Sequence, residues 1–261
     1  MSFNKLSNCD KTVHKQPLIT VITVVFNGAK TLEQTILSVI NQSYKSVEFI
    51  IIDGESTDGT LSIIRKYEHA IDYWVSEPDK GIYDAWNKGV AKASGEWIAF
   101  LGADDIYLEG AIDAYVNFIC GFAGRHLDYI SSRVNLIKGT KVIRTVGQKW
   151  NWESFKKYMN VAHVGSLHSR ILFEKYGLYD ATYKICGDYE LLLRPRENLQ
   201  VGFMNITTVN MSVDGISNSN LSVFDEVARI KIRHGLKTKF WANLDLIYSK
   251  FKYFVRSIVW Y

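Results

Sequence analysis

The sequence predicts an α/β protein with a mostly parallel central sheet, helices on both faces and a helical C-terminal extension. Three observations lead to this class. Short apolar runs rich in β-branched residues alternate with amphipathic segments through about the first 105 residues, the pattern of strands covered by helices. Acids and amides follow these runs. From about Leu221 onward the chain has a helical, basic and aromatic pattern.

The strands are predicted by short runs that lack the alternation of a half-exposed strand. A run that is apolar throughout and rich in Val and Ile fits a central parallel strand covered on both faces. The strands predicted in this way are residues 18–26, 47–53, 73–76 and 97–101. The second half is less regular, with strands predicted at residues 128–134 and 141–146.

Helices are predicted between the strands. Thr31 and Gln34 have the spacing of a capping box, and apolar residues at helical spacing follow them. Thr57 or Asp58 is expected to cap the second helix. Two further helices are predicted at residues 82–93 and 188–194.

Composition narrows the class of protein. The 261 residues are 47% hydrophobic and 22% charged, which excludes a disordered or collagen-like chain. The formal net charge of +4 gives no argument for a nucleic-acid partner. The three cysteines, Cys9, Cys120 and Cys186, form no CxxC pair, and the N-terminus lacks a secretory apolar segment. We therefore expect a cytoplasmic protein.

Polar residues stand where each of the first four predicted strands ends. Asn27 follows the first strand, and Asp53 ends the second. Asp79 and Lys80 follow the third, and Asp104 follows the fourth. Ligands of open α/β sheets bind at the carboxyl ends of the strands, so these side chains are expected to share one rim.

Asp53 and Asp58 belong to one strand–turn–helix segment. Asp53 could accept hydrogen bonds from a nucleobase or ribose. The alternative is that both acids only shape the turn and cap the helix, as such residues often do. A binding role is preferred for Asp53, and both roles stay open for Asp58.

Asp104 and Asp105 form an adjacent pair of acids after a buried strand. Such hard oxygen ligands suit Mg²⁺ or Mn²⁺, which usually also binds substrate phosphates. A capping turn is the alternative. His163 and His168 could reach a metal or phosphate, although histidines in this context are more often hydrogen-bonded core or surface residues.

Two further residues are candidates for direct chemistry. Lys80 could face a diphosphate, or could be an ordinary surface lysine. Asp188, beside Glu190 at the beginning of a predicted helix, could deprotonate an acceptor hydroxyl, or could be an N-cap.

In this order, five segments resemble the GT-A-fold, family 2 glycosyltransferases, whose Rossmann-like sheet agrees with the predicted class. The segments are ITVVFN (residues 22–27), DGESTDGT (53–60), SEPDKGIYDAWNKG (76–89), ASGEWIAFLGADD (93–105) and GDYELLLR (187–194). The resemblance covers about residues 18–215. It is greatest to the bacterial branch that builds O-antigen, capsule and other exopolysaccharides.

The resemblance implies roles for residues at matching positions. Asp188 would be the catalytic base. Asp104, Asp105 and His163 would hold Mn²⁺ or Mg²⁺. The nucleotide-sugar-binding residues would be Val24, Phe26, Asn27, Asp53, Glu55, Asp79, Lys80 and Asp104. Two positions depart from the family pattern: Gly102 replaces the first acid of the metal motif, and Gly187 replaces the acid that often precedes the base.

The implied activity is inverting, metal-dependent transfer of a hexosyl or N-acetylhexosaminyl group from a nucleotide sugar, preferably a UDP-sugar, to a glycan acceptor. A lipid-linked oligosaccharide is the expected form of that acceptor. A nicotinamide or flavin oxidoreductase is disfavoured because only Gly28 follows the first strand, where GxGxxG would stand. A nucleotidyltransferase and a non-catalytic nucleotide-sugar-binding protein of this fold are the remaining alternatives.

The predicted organisation is a loose tail at 1–17, a transferase domain at 18–215 and a helical extension at 216–261. Residues 237–261 interleave basic and aromatic side chains, as in helices that lie on an anionic membrane surface. We therefore expect peripheral attachment to the inner face of the plasma membrane. A helix packed on the protein's own core or on the mate in a homodimer is the alternative.

Overall fold

The computed structural model describes residues 16–122, 126–213 and 221–259, with the side chains of the last segment described to residue 255. Residues 1–15, which hold most of the predicted tail and Cys9, lie outside the described residues. So do the predicted boundary at 215/216 and the last two residues.

Four parallel strands form the first half of the sheet, as predicted. They are β1 (Ile19–Val25), β2 (Val47–Asp53), β3 (Tyr73–Ser76) and β4 (Trp97–Gly102). Their spatial order is β3-β2-β1-β4, and every neighbouring pair is parallel. In register, Val25 lies beside Asp53, Asp53 beside Ser76, and Val24 beside Gly102. The carboxyl ends of these strands therefore meet at one rim.

Helices connect these strands and cover both faces of the sheet. They are α1 (Leu32–Ile40), α2 (Thr60–Lys66) and α3 (Ile82–Lys92). The predicted capping box is wrong: Thr31 is the N-cap, but its side chain makes no capping bond, and the Gln34 amide donates to the Thr31 carbonyl at 3.0 Å. The N-cap of α2 is Gly59, not Thr57 or Asp58 as predicted. Asp58 accepts from the amide of Thr60 at 3.1 Å and so shapes the turn before the helix.

The second half extends the sheet with antiparallel and mixed pairings. After β5 (Ile106–Tyr107) and α4 (Ala111–Gly121), β6 (Tyr129–Lys138) forms a hairpin with β7 (Lys141–Val146). The remaining elements are α5 (Trp152–Phe155), β8 (Ser166–Ser169), α6 (Arg170–Tyr176), α7 (Gly187–Leu193) and β9 (Val201–Ser212). The complete order is β3-β2-β1-β4-β8-β6-β9-β5, with β7 beside β6. Sequence reasoning did not find β8 or β9.

The sheet buries apolar side chains on both faces. Ile51 packs in one core cluster with residues of α1 and α4, whereas Ile50 and Ile52 pack in a second cluster with residues of α3, α6 and α7. This two-sided burial explains the unbroken apolar run Phe49–Ile52 of β2. It confirms the predicted fold class.

Two C-terminal helices complete the described chain, as the pattern after Leu221 predicts. They are α8 (Ser222–Arg233) and α9 (Lys239–Val259). Ala242, Leu246 and Ser249 of α9 face Phe224 and Ala228 of α8. Across the described residues, every helix is too short or too polar to cross a bilayer.

Candidate functional site

Asp53 is the most enclosed polar residue of the rim. It ends β2 and is fully buried. Its Oδ2 accepts from the Ser56 amide at 3.0 Å and from the Ser76 hydroxyl at 2.6 Å. Its Oδ1 is buried without a hydrogen-bond partner in the described protein. A buried acceptor without a partner is costly, so Oδ1 is suited to an N–H or O–H donor that a ligand brings.

The loops after β1 and β2 are fastened to each other. Asn27 donates its amide to the Ser56 hydroxyl at 2.7 Å and accepts from the Thr57 amide at 2.9 Å. Asn27 and Glu55 both have positive φ angles, 53° and 67°, which are uncommon for residues other than glycine. Both side chains are exposed. Strained backbone of this kind often marks a binding site.

The loop after β3 approaches the same place. The Asp79 carboxylate and the ring of Phe26 both lie close to Gly54. Phe26 is 66% exposed, an unusual state for a phenylalanine that follows a buried strand. Val24 is half-buried and lies between Ile52 and Gly102 near the end of β1. The structure thus brings together four of the predicted nucleotide-sugar residues: Val24, Phe26, Asp53 and Asp79.

Lys80 stands where α3 begins. Its amide donates to Asp84 Oδ2 at 3.0 Å, and its carbonyl accepts from the Lys184 ammonium. Lys184, in the loop before α7, was missed by sequence reasoning because an isolated lysine in a loop carries no pattern. It adds a second cation next to the first turn of α3.

Asp104 and Asp105 differ in what surrounds them. Asp105 is buried, and its two oxygens accept from the amides of Ser212 at 3.0 Å and Gly102 at 3.2 Å. It thereby joins the ends of β4 and β9. Burial and the neighbouring charge of Asp104 raise the pKa of Asp105 to about 7. Asp104 is half-buried and is the better placed of the two for an incoming cation.

The departure at Gly102 has a steric reason. A Cβ at this position would lie 2.6 Å from Asp105 Oδ2 and 3.1 Å from Asp104 Oδ1. The glycine therefore lets both carboxylates approach the backbone at the end of β4. An acid at position 102 would force them apart.

A divalent cation fits this rim in one specific way. Among the described residues, no three His, Cys, Asp or Glu side chains form a metal cluster, so the set Asp104, Asp105 and His163 is not a preformed three-ligand site. Mg²⁺ is often held by one or two carboxylates together with substrate phosphates. The residues present are compatible with that arrangement, in which Asp104 would be the protein ligand and a diphosphate would supply further oxygens.

The two histidines lie within an aromatic cluster. The His163 ring is stacked on Trp86 with centroids 4.5 Å apart, and its Nε2 is 3.0 Å from the Tyr179 hydroxyl. Burial, with a smaller effect of His168, places the pKa of His163 well below its usual range. Burial lowers the pKa of His168 to about 3. Both imidazoles are therefore neutral at pH 7, and their contacts are those of core residues.

Asp188 lies in the first turn of α7, where Cys186 is the N-cap. Its Oδ1 accepts from the Tyr189 amide at 2.8 Å and from the Tyr83 hydroxyl at 3.2 Å. Burial raises the pKa of Asp188 to about 6. A carboxylate with this pKa is ionised at pH 7 and is a stronger base than an exposed one, as general-base catalysis requires.

The departure at Gly187 also has a steric reason. A Cβ at this position would lie 2.9 Å from two ring carbons of Tyr83. Because Gly187 has no side chain, the Tyr83 ring can pass close to its backbone. The Tyr83 hydroxyl thereby reaches Asp188 and the Ile185 carbonyl, the latter at 2.6 Å. Tyr83 thus joins α3, which begins beside Asp79 and Lys80, to Asp188.

Two glutamates that hold the loop before Asp188 and its helix are buried. Glu226 of α8 accepts from the amides of Lys184, Ile185 and Cys186 at 2.7, 3.0 and 2.8 Å. Glu190 is bound by Arg194 at 2.5 Å and His234 at 2.9 Å, and therefore serves packing rather than proton transfer. Sequence reasoning missed Glu226, since a glutamate in an amphipathic helix normally faces solvent.

The sequence itself decides the family. The model of glycosyl transferase family 2 matches residues 20–172, more than half of the chain. The chain belongs to glycosyl transferase family 2. The match covers the whole parallel half of the sheet and its rim, and ends in α6.

Two curated relatives of this family 2 chain are mycobacterial. A PGL/p-HBAD biosynthesis glycosyltransferase of Mycobacterium bovis is 29% identical over 217 residues, covering 78% of this chain and 80% of the relative. An uncharacterized glycosyltransferase of Mycobacterium tuberculosis is 33% identical over 187 residues, covering 68% of each. The alignments therefore span most of both partners.

Solved structures share the fold of this family 2 chain. S. aureus TarS in complex with UDP-GlcNAc superposes with a TM-score of 0.67 at 16% identity, covering 87% of this chain and 70% of that one. The mannosyltransferase PcManGT of Pyrobaculum calidifontis, in complex with GDP-Man and Mn²⁺, gives a TM-score of 0.58 at 16% identity, with coverages of 84% and 63%. These likenesses confirm the GT-A fold.

Proposed function

We propose that this chain transfers a hexosyl or N-acetylhexosaminyl group from a UDP-sugar to a hydroxyl of a glycan, with inversion. The observation that carries the donor is the buried, unpartnered Oδ1 of Asp53 at the rim. The N3–H of uracil is a donor of the right kind for this oxygen. The exposed ring of Phe26 provides an adjacent apolar surface for the base.

Asp188 is the base in this proposal. Its carboxylate takes the proton of the acceptor hydroxyl while that oxygen bonds to the anomeric carbon of the sugar. The bond from the anomeric carbon to the diphosphate breaks, and its electron pair leaves with UDP. Attack from the side opposite the leaving group inverts the anomeric centre in one displacement, without a glycosyl-enzyme intermediate.

The diphosphate needs positive charge at this rim. Asp53, Glu55, Asp79 and Asp104 would repel it, and Lys80 and Lys184 offset only part of that charge. Bound Mn²⁺ or Mg²⁺ supplies a Lewis acid that neutralises the departing UDP. Asp104 would hold the ion because its side chain is only half-buried, while the roles suggested for Asp105 and His163 have less support because both side chains are buried.

The acceptor is proposed to be a lipid-linked oligosaccharide of bacterial surface polysaccharide synthesis, used at the cytoplasmic face of the plasma membrane. The names of the mycobacterial relatives and the basic, aromatic α9 support this part of the proposal. The transferase domain would comprise residues 18–215, and the helical extension residues 216–261.

The donor proposal is tested by calorimetric titration of the full-length protein with UDP, GDP and dTDP in the presence and absence of Mn²⁺. UDP should bind more tightly than the other two, and removal of the metal with EDTA should weaken binding. Asp104→Asn should need more Mn²⁺ for the same UDP affinity. Tighter binding of GDP or dTDP would overturn the choice of uridine. Equal UDP affinity with and without metal would overturn the proposal that a divalent cation takes part in donor binding.

A further inference from the structure

The long helix α9 has two apolar sides, and its own fold covers one of them. Ala242 is fully buried, and Leu246 and Ser249 face α8 with it. Tyr253 packs its ring against Phe224 with centroids 6.1 Å apart. These residues recur at helical spacing and mark the inner face of α9.

The opposite side is exposed, and we call it the outer face of α9. Its side chains are between 40% and 66% exposed. They are Phe240, Trp241, Leu244, Ile247, Tyr248, Phe251 and Val255. At 100° per residue they form one continuous stripe about 180° from Ala242. Large apolar side chains exposed next to one another in this way mark a binding surface.

Charge indicates what covers the outer face. The helix carries Lys239, Lys250, Lys252 and Arg256 against one acid, Asp245. Asp245 already pairs with Lys237. By helical geometry Lys250 and Lys252 fall on opposite flanks of the stripe. Lys252 can extend its ammonium group towards headgroups, and Lys250 can do so by exchanging its exposed ion pair with Asp225. A second copy docked through this face would bring two basic helices together, and like charges would repel.

We propose that the outer face of α9 docks on an anionic lipid bilayer surface. Aromatic and aliphatic side chains enter the boundary between headgroups and acyl chains, while the flanking lysines contact the headgroups. The helix lies in the plane of the surface and is about 30 Å long. Its inner face keeps its contacts with α8.

Docking would also orient the site. The carboxylate of Glu226 on α8 holds the loop that leads into Asp188, so the surface that binds lipid and the proposed base are joined through one helix. A lipid-linked acceptor would be presented at the same surface. This last link depends on the proposed function, whereas the docking itself does not.

Sedimentation with vesicles tests the docking. Full-length protein is mixed with vesicles of phosphatidylglycerol and phosphatidylcholine at low and high salt, and with vesicles of phosphatidylcholine alone. The test variant is Ile247→Ser with Phe251→Ser, both on the outer face. The matched control is Val142→Ser with Ile143→Ser, two exposed apolar residues of β7.

Wild type and control should bind the anionic vesicles, more weakly at high salt and on neutral vesicles. The outer-face variant should lose about tenfold or more in affinity, because it removes two large apolar side chains from the face that enters the bilayer boundary. Wild type that does not bind, or an outer-face variant that binds like wild type, would overturn the proposal. The proposal would also be overturned if wild type formed a dimer and bound no vesicles, and the outer-face substitutions converted that dimer to a monomer.

Titration with UDP of the same three proteins separates this proposal from the proposed function. Vesicle binding with no UDP binding would contradict the transferase proposal and leave the docking surface standing. If wild type binds UDP normally but does not bind anionic vesicles, the docking proposal is contradicted and the transferase proposal stands.

Discussion

The carboxylate of Glu226 accepts a hydrogen bond from the backbone amide of Cys186, 2.8 Å away. The two residues are 40 positions apart, and Cys186 directly precedes the helix that carries Asp188. The C-terminal extension is therefore part of the support of the proposed base. Glu226 is a positioning residue, because it acts on Asp188 only through the backbone.

Glu226→Gln should reduce transfer by about 10- to 100-fold and leave UDP affinity unchanged, because a small displacement of a base has effects of that size. The amide group can replace only one of the two accepting oxygens. Transfer rates and UDP titrations on folded protein check this. The control is Asp225→Asn, an exposed neighbour that pairs with Lys250. Transfer at the wild-type rate with only a lower melting temperature would assign Glu226 a purely structural role.

Tyr83→Phe should shift the acidic limb of the pH–rate profile. The Tyr83 hydroxyl donates to Asp188 and so lowers the pKa of that carboxyl, against the larger effect of burial. Without the donor the pKa should rise above about 6, and transfer should be lost at a higher pH than in wild type. Rates measured between pH 5 and 8 decide this. If the acidic limb stays in place or moves to lower pH, the Tyr83 hydroxyl does not lower the pKa of the catalytic base.

Asp188→Asn should stabilise the fold above pH 6. The pKa of Asp188 is about 6 in the folded protein against an ordinary 3.8, so the folded state binds more protons between those values. Stability therefore falls as pH rises through this window, and the cost is fully present above it. Removing the charge should raise the unfolding free energy at pH 8 by roughly 1–3 kcal/mol. Denaturant unfolding at pH 5 and pH 8 measures it, and a variant less stable than wild type at pH 8 would contradict it.

Asp53→Asn should weaken UDP binding by about 10- to 100-fold. The substitution replaces the acceptor Oδ1 with an N–H₂ group, which would face the N–H of uracil, so that two donors oppose each other. The fold should survive, because an amide oxygen can still accept from Ser56 and Ser76. Asp72→Asn is the matched control: Asp72 also accepts a backbone amide, from Phe49 at 2.7 Å, but lies exposed near the other end of β2. Equal UDP affinity in wild type and Asp53→Asn would remove Asp53 from the donor site.

The parallel half of the fold could be predicted from the sequence because its signals are local. β1, β2 and β4 are short and mostly apolar, and each has a helix pattern after it, so class and strand positions follow from short windows. β8 was missed because its four residues, Ser166–Ser169, contain only one apolar side chain, Leu167, and so form no apolar run. In β9, exposed Asn205 and Ile206 interrupt the run, and no window shows the pattern of a buried strand.

The candidate site was predictable where a residue type itself implies chemistry. Acids at strand ends indicated Asp53 and Asp104 without any knowledge of contacts. The surroundings were not predictable: the stacking of His163 on Trp86, the amide bonds of Asp105 and the role of Glu226 all depend on side chains brought together by folding. The glycines at positions 102 and 187 were recorded as departures from a pattern, and only the packing explains them.

The most direct test of the account is the release of UDP from a panel of UDP-sugars, with Mn²⁺ present, by wild type and by Asp188→Asn. Wild type should release UDP from at least one donor, and the variant should be slower by about 10² to 10⁴ while its UDP affinity stays that of wild type. Wild type that releases UDP from no member of the panel, or a folded Asp188→Asn that releases it at the wild-type rate, would contradict the central claim that Asp188 is the base of a UDP-sugar-dependent transfer.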